Sequence, residues 1–235
     1  MKKKKILCFG DSWAAGAELN RDEYPFVHWF AEKFDLPYEN YGKEGSSLAE
    51  ILFKIVTAPD ISADDIVLVT IPPDARSYDE ENEQIITTTI YEGNSSYEAG
   101  RDLKPEFLHR SIFWFEYHHL LFINCIQKAL DEIGCDYILM HTYGILPSDE
   151  KYNLHTNRKK FLSDQSLSWI LSELETECNN YPKGTYLSNV KLNPTAPPDI
   201  LFKGKYFEGN FNHPNELGHK KIAELLLARR ESSLR

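Results

Sequence analysis

Four lysines, Lys2 to Lys5, lead into the apolar run Ile6-Leu7-Cys8-Phe9, and the run stops at Gly10-Asp11-Ser12. A run this short, closed by glycine, predicts a buried β-strand followed by a tight turn. The turn leaves Ser12 just past the strand's carboxyl end. In open α/β sheets, ligands bind along that edge. A helix starting there would turn free backbone N–H groups toward an anion. Read alone, Gly-Asp-Ser is a plain strand-ending turn.

The chain repeats the strand-then-helix pattern. Tyr24 to Phe34 sets Phe26, Val27, Phe30, Ala31 and Phe34 on one helical face, with Pro25 suited to the first turn. Tyr38 to Tyr41 predicts a short strand. Leu48 to Val56 predicts an amphipathic helix, N-capped by Ser46 or Ser47 with Glu50 completing a capping box. Asp65 to Ile71 is nearly all β-branched or apolar, as in a parallel strand covered on both faces. Pro72-Pro73-Asp74 ends it. Residues 75–105 are polar and acidic, too long for a simple loop, and predict a lid or binding insertion with a strand or hairpin around Ile85 to Tyr91. Phe107 to Ile133 predicts a long helix stopped by Gly134. Cys135 to His141 predicts the next strand, Ser163 to Asn179 a helix, and Tyr186-Leu187 a short last strand. A final helix, Asn215 to Arg229, turns Leu217, Ile222, Ala223, Leu225 and Leu226 inward. No internal repeat or linker interrupts the alternation. It predicts one α/β domain over residues 1–235, a three-layer sandwich around a mostly parallel sheet.

Composition excludes several function classes. The 235 residues carry a net charge of −10, against nonspecific nucleic-acid binding, which needs clustered Lys and Arg. The apolar run after the four lysines is too short for a signal peptide, and no stretch reaches the length of a membrane span. A cytoplasmic location is expected. The four cysteines, Cys8, Cys125, Cys135 and Cys178, are scattered, with no zinc spacing, and predict free thiols rather than disulfides or a metal site. The first turn lacks Gly-x-Gly-x-x-Gly and Gly-Lys-Ser/Thr, which disfavours a nucleotide-binding domain.

A second stretch gives Gly-Asp-Ser its meaning: His213-Pro214-Asn215-Glu216-Leu217-Gly218-His219 near the other end. Together with Asn40-Tyr41-Gly42-Lys43-Glu44-Gly45, the two stretches resemble blocks of the SGNH/GDSL hydrolase family. The resemblance implies a flavodoxin-like strand order and a serine esterase without metal or organic cofactor. It implies Ser12 as nucleophile and His213 as base, and the N–H groups of Ser12 and Gly45 as oxyanion donors. His219 is the lesser candidate for the base. Asp11 is expected to hold the elbow through backbone hydrogen bonds. Trp13 is either a wall of the substrate pocket or core.

Two positions depart from the family pattern. The third block should supply an asparagine amide to the oxyanion, and Asp74 stands there. An ionised carboxylate cannot donate, so Asp74 serves in the oxyanion hole only if protonated, and Arg76 is a substitute source of positive charge beside the substrate. The last block should place an aspartate three residues before the histidine, and Asn210 stands there. Its amide oxygen lacks the full charge that steadies an imidazolium. Glu208 is an alternative acceptor.

The resemblance therefore implies an acyl or acetyl esterase built on a Ser-His dyad, with a small-molecule or glycan ester as substrate, on a carbohydrate or lipid. A second reading takes the two departures at face value. In it, a catalytically weakened SGNH domain binds a carbohydrate or a protein assembly partner, for example in a viral particle. Tyr78, Tyr91 and Tyr97 of the insertion are its stacking platforms.

Overall fold

The computed structural model describes residues 3–17, 19–58, 60–72, 76–79, 84–87, 112–142, 154–168, 170–171 and 213–233. Strands β1 (Ile6–Phe9), β2 (Tyr38–Asn40), β3 (Ile66–Ile71) and β6 (Asp136–His141) form one sheet in the order β2-β1-β3-β6. Every pairing in it is parallel. This is the α/β architecture, and the strand order, predicted from the alternation and the resemblance. Strands β4 (Arg76–Asp79) and β5 (Gln84–Thr87) pair antiparallel, Arg76 opposite Thr87. The insertion thus holds a hairpin that begins earlier in the chain than the sequence pattern suggests.

The strands are apolar on both sides because helices cover both sides. Ile6, Cys8, Ile66, Leu68, Ile138 and Met140 face one core. There they meet Trp13 and Ala14 of α1 (Ser12–Ala15), Phe26, Val27, Phe30 and Ala31 of α2 (Phe26–Phe34), and Ile222, Ala223 and Leu226 of α5 (Glu216–Ser233). The alternate residues Leu7, Phe9, Val67, Val69, Ile71, Tyr137 and Leu139 face the other core. Ile51 and Ile55 of α3 (Leu48–Thr57) and Ile123, Ile126 and Leu130 of α4 (Ile112–Ile133) fill that side. A period of two along each strand thus sorts one continuous apolar run into two cores.

Local expectations are refined in several places. Pro25 is the N-cap of α2 rather than a residue of its first turn. Ser47 caps α3, its hydroxyl accepting the Glu50 N–H at 3.3 Å. The Glu50 carboxylate does not close a capping box but pairs with Lys43 at 3.1 Å and Lys54 at 3.5 Å. Leu217, expected inward, is 46% exposed, because the inward ridge of α5 runs through Gly218, His219, Ile222, Ala223 and Leu226. Cys8, Cys125 and Cys135 are free thiols. Burial, and then the charge of Asp11, pushes the Cys8 thiol far up, so it is an inert core residue. Among the described residues, no helix is long and apolar enough to cross a membrane. The expected strand at Tyr186-Leu187, most of the expected helix after Ser163, and Cys178 lie outside the described residues.

Candidate active site

The elbow after β1 is built by packing as much as by turn chemistry. Gly10 adopts φ +151°, a value that disfavours residues with a Cβ. A Cβ there would also lie 1.9 Å from the Thr70 hydroxyl of β3. Asp11 follows as the N-cap of α1, and its Oδ1 accepts the Trp13 N–H at 3.2 Å. Thr70 Oγ1 accepts the Asp11 N–H at 3.1 Å and donates to Asp11 Oδ1 at 3.0 Å. The Thr142 hydroxyl, beyond β6, donates to the Ile71 carbonyl at 3.0 Å and reaches Asp11 Oδ2 at 3.5 Å. Asp11 therefore ties the ends of three adjacent strands together, which bears out its expected role in the elbow. Thr70 is the lone polar residue of an otherwise apolar strand. That is the sequence signal by which its role could have been found.

Ser12 is the first residue of α1, 4% exposed, and its Oγ has no hydrogen-bond partner among the described residues. Helix geometry leaves the Ser12 N–H without a partner inside α1. A serine hydroxyl and a helix-end N–H thus sit together just past a strand terminus. Trp13 has no exposed surface and belongs to the core, the second of its two expected roles.

The loop after β2 closes over this elbow. Asn40 Nδ2 donates to the Ala14 carbonyl at 2.7 Å, and Asn40 Oδ1 accepts the Gly42 N–H at 2.9 Å. Lys43 N donates to the Gly10 carbonyl at 3.1 Å. Gly42 packs so close to α1 that a Cβ would meet Ala15 N at 2.5 Å and Ala14 C at 2.6 Å. Gly45 turns the chain at φ +71°, two residues before the Ser47 cap. In the sequence, Asn40 and Gly42 register only as parts of a glycine pattern. In the fold they hold the helical turn that carries Ser12.

Topology brings His213 to the same edge. Helix α2 runs from the carboxyl side of the sheet back to the start of β2, so Phe26 marks the carboxyl edge. His219 Nδ1 accepts the Phe26 N–H at 3.1 Å, which sets the start of α5, and with it His213, at that edge. Asn215 Oδ1 accepts the Gly218 N–H at 2.9 Å and caps α5. Pro214 therefore lies before the helix rather than in its first turn. Ser12 Oγ and His213 are not hydrogen-bonded to each other, since that hydroxyl has no partner among the described residues. His219 is fully buried, and desolvation followed by the charge of His213 pushes it down from 6.5 to about 3. It is a neutral hydrogen-bond acceptor, ill suited to the role of base. Arg76 lies in β4. Asp74, Asn210 and Glu208 lie outside the described residues, as do Tyr91 and Tyr97.

A further histidine pair was not foreseen. His119 of α4 meets His141 at the end of β6 edge to face, with ring centroids 5.5 Å apart. Burial and then His141 push His119 well below the ordinary range. Among the described residues, no group of three or more His, Cys, Asp or Glu could hold a metal ion.

No family model matches the sequence, and no curated protein matches it. Solved structures do. A lipolytic protein of the G-D-S-L family from Veillonella parvula matches 96% of this chain and 97% of its own, at 14% identity and a TM-score of 0.47. The lipase/acylhydrolase of Enterococcus faecalis matches 98% of this chain and 95% of its own, at 15% identity and a TM-score of 0.44. A Bacillus subtilis protein matches 99% of this chain at 13% identity and a TM-score of 0.50. Structural neighbours of this chain are GDSL/SGNH lipolytic proteins and esterases. At such identities the likeness is one of fold. The chain spans 57% of the Bacillus subtilis protein.

Proposed function

We propose that the chain is a serine ester hydrolase of the SGNH type, acting on an acyl or acetyl ester through an acyl-enzyme. The observation that carries this reading is the setting of Ser12. A buried hydroxyl, unpartnered among the described residues, begins a helical turn at the carboxyl edge, held by Asp11 and Thr70 and overlaid by the Asn40–Lys43 loop. Among the described residues nothing uses that hydroxyl, and a buried polar group left unpaired in a native fold calls for a reason.

In the proposed reaction, Ser12 Oγ attacks the ester carbonyl while His213 takes its proton. The Ser12 and Gly45 N–H groups receive the oxyanion. His213 then returns the proton to the leaving alcohol, and water repeats the sequence to release the acid. No hydrogen bond joins Ser12 and His213, so the base must close on the serine as substrate binds, as is common for catalytic pairs seen without substrate. In this reading Arg76, and Asp74 if protonated, are assigned to the oxyanion, and Asn210 or Glu208 is assigned as the partner of His213. A fluorophosphonate probe tests the reading directly. Ser12 in the folded protein should be labelled, and S12A should not.

The lack of a hydrogen bond between Ser12 Oγ and His213 also favours a second reading, an SGNH domain that binds a carbohydrate or a partner protein without turnover. Binding on a glycan array, with no hydrolysis of aryl acetates, supports it. Ready hydrolysis rejects it.

A further inference from the structure

Helix α2 begins without a cap of its own. Pro25 occupies its N-cap position and makes no side-chain hydrogen bond. The first N–H of the helix, that of Phe26, is one of the donors a helix cannot satisfy internally. It is satisfied by a residue distant in the chain, His219, whose Nδ1 accepts it at 3.1 Å in a buried setting. An accepting Nδ1 carries no proton, so the neutral ring holds its proton on Nε2. Among the described residues that second nitrogen has no hydrogen-bond partner, and the ring's described hydrogen bond is the one at Nδ1. The ring also stacks on Phe26, centroids 5.9 Å apart and planes within 20°.

On its own helix, His219 belongs to a fixed turn. Its backbone N–H donates to the Asn215 carbonyl at 2.9 Å, and the Asn215 side chain caps Gly218. His213 stands two residues before that capped turn. The His213 charge is felt at His219, so the two rings lie within electrostatic reach.

We propose that His219 is a positioning residue: its bare Nδ1 bolts the amino end of α5 to the amino end of α2, and so fixes His213 at the edge that carries Ser12. The role rests on the esterase reading for its catalytic consequence, though not for the bolt itself. His219 does not touch substrate. A ring that merely filled core space could be replaced by any apolar residue of its size. A ring that accepts the Phe26 N–H requires an acceptor at that point, and Asn places its Oδ1 where His places Nδ1.

H219L, H219N and H219Q separate these possibilities. Aryl acetate turnover is measured per fluorophosphonate-reactive Ser12. Exchange of the Phe26 amide and the His213 ring resonances are followed by NMR. In H219L, kcat should fall at least about tenfold with KM changed less than about twofold, as for a misplaced base. Phe26 should exchange faster and the His213 resonances should shift. H219N should recover most of each. Wild-type kcat and unshifted His213 resonances in H219L overturn the proposal, as does an H219N protein as impaired as H219L. Should H219L fail to fold, H219Q, which displaces the acceptor by one carbon, should show the same loss of kcat, and wild-type behaviour in it overturns the proposal. If the wild-type protein neither labels nor turns over, the esterase reading fails, while the Phe26 exchange and His213 resonances still decide whether His219 holds His213.

Discussion

Thr70 and Asp11 exchange two hydrogen bonds across adjacent strand ends: the Thr70 hydroxyl accepts the Asp11 N–H at 3.1 Å and donates to Asp11 Oδ1 at 3.0 Å. The pair is fully buried and stands between the elbow and β3. Thr70→Val keeps the shape of the side chain but leaves the Asp11 N–H without its partner and its carboxylate one donor short. A loss of about 1–3 kcal/mol in unfolding free energy is expected, read from urea denaturation. Thr70→Ser should retain most of it. Equal stability of the Val and wild-type proteins would mean the hydroxyl contributes nothing.

Gly42 supports α1 from the other side. Gly42→Ala places a methyl carbon about where Ala15 N and Ala14 C already lie, at 2.5 and 2.6 Å. Backbone cannot yield as a flexible side chain does, so α1 must shift. A destabilisation of about 1–3 kcal/mol is expected, together with slower labelling of Ser12 by a fluorophosphonate. Labelling at the wild-type rate would show that the loop and the serine are independent.

Acid should weaken the fold through its buried histidines. Burial holds His219 down at about 3 against 6.5, and His119 is pushed in the same direction. Between those values the unfolded chain binds protons that the folded chain refuses, so stability rises with pH there. The contribution is complete above about pH 6.5 and is lost progressively as pH falls toward 3, at about 1.4 kcal/mol per unit for each such group. Urea midpoints measured from pH 7 to pH 4 should fall steeply in the wild type and less steeply in H219N. Parallel slopes would show that His219 does not carry the effect.

Asn210 offers a chemical test of the esterase reading. Three residues before His213, it stands where the family resemblance calls for an aspartate. Asn210→Asp should raise turnover of an aryl acetate at least about tenfold, a change of ~1.4 kcal/mol in the barrier. An already brisk enzyme left unchanged would point to another group, such as Glu208, as the partner of His213.

What the sequence determined by itself is the layered architecture and the identity of the candidate serine and histidine. Ile6–Phe9, Asp65–Ile71 and Cys135–His141 are short, apolar on both faces and separated by helical patterns, and chains of that kind pack in few ways. Gly-Asp-Ser and His-Pro-Asn-x-x-Gly-His are local, so they can be read directly from the sequence. Tertiary structure decided which neighbours hold those residues. Thr70 lies 59 positions from Asp11, and His219 lies 193 positions from Phe26. No local pattern reports such a pairing. Before folding, Thr70 shows only as the one polar residue of an apolar strand, with no sign of its partner, and His219 only as the lesser of two histidines in a motif. Each acquires its role when a buried N–H, cut off from water, must find an acceptor, and the packed sheet and helices bring that one within reach.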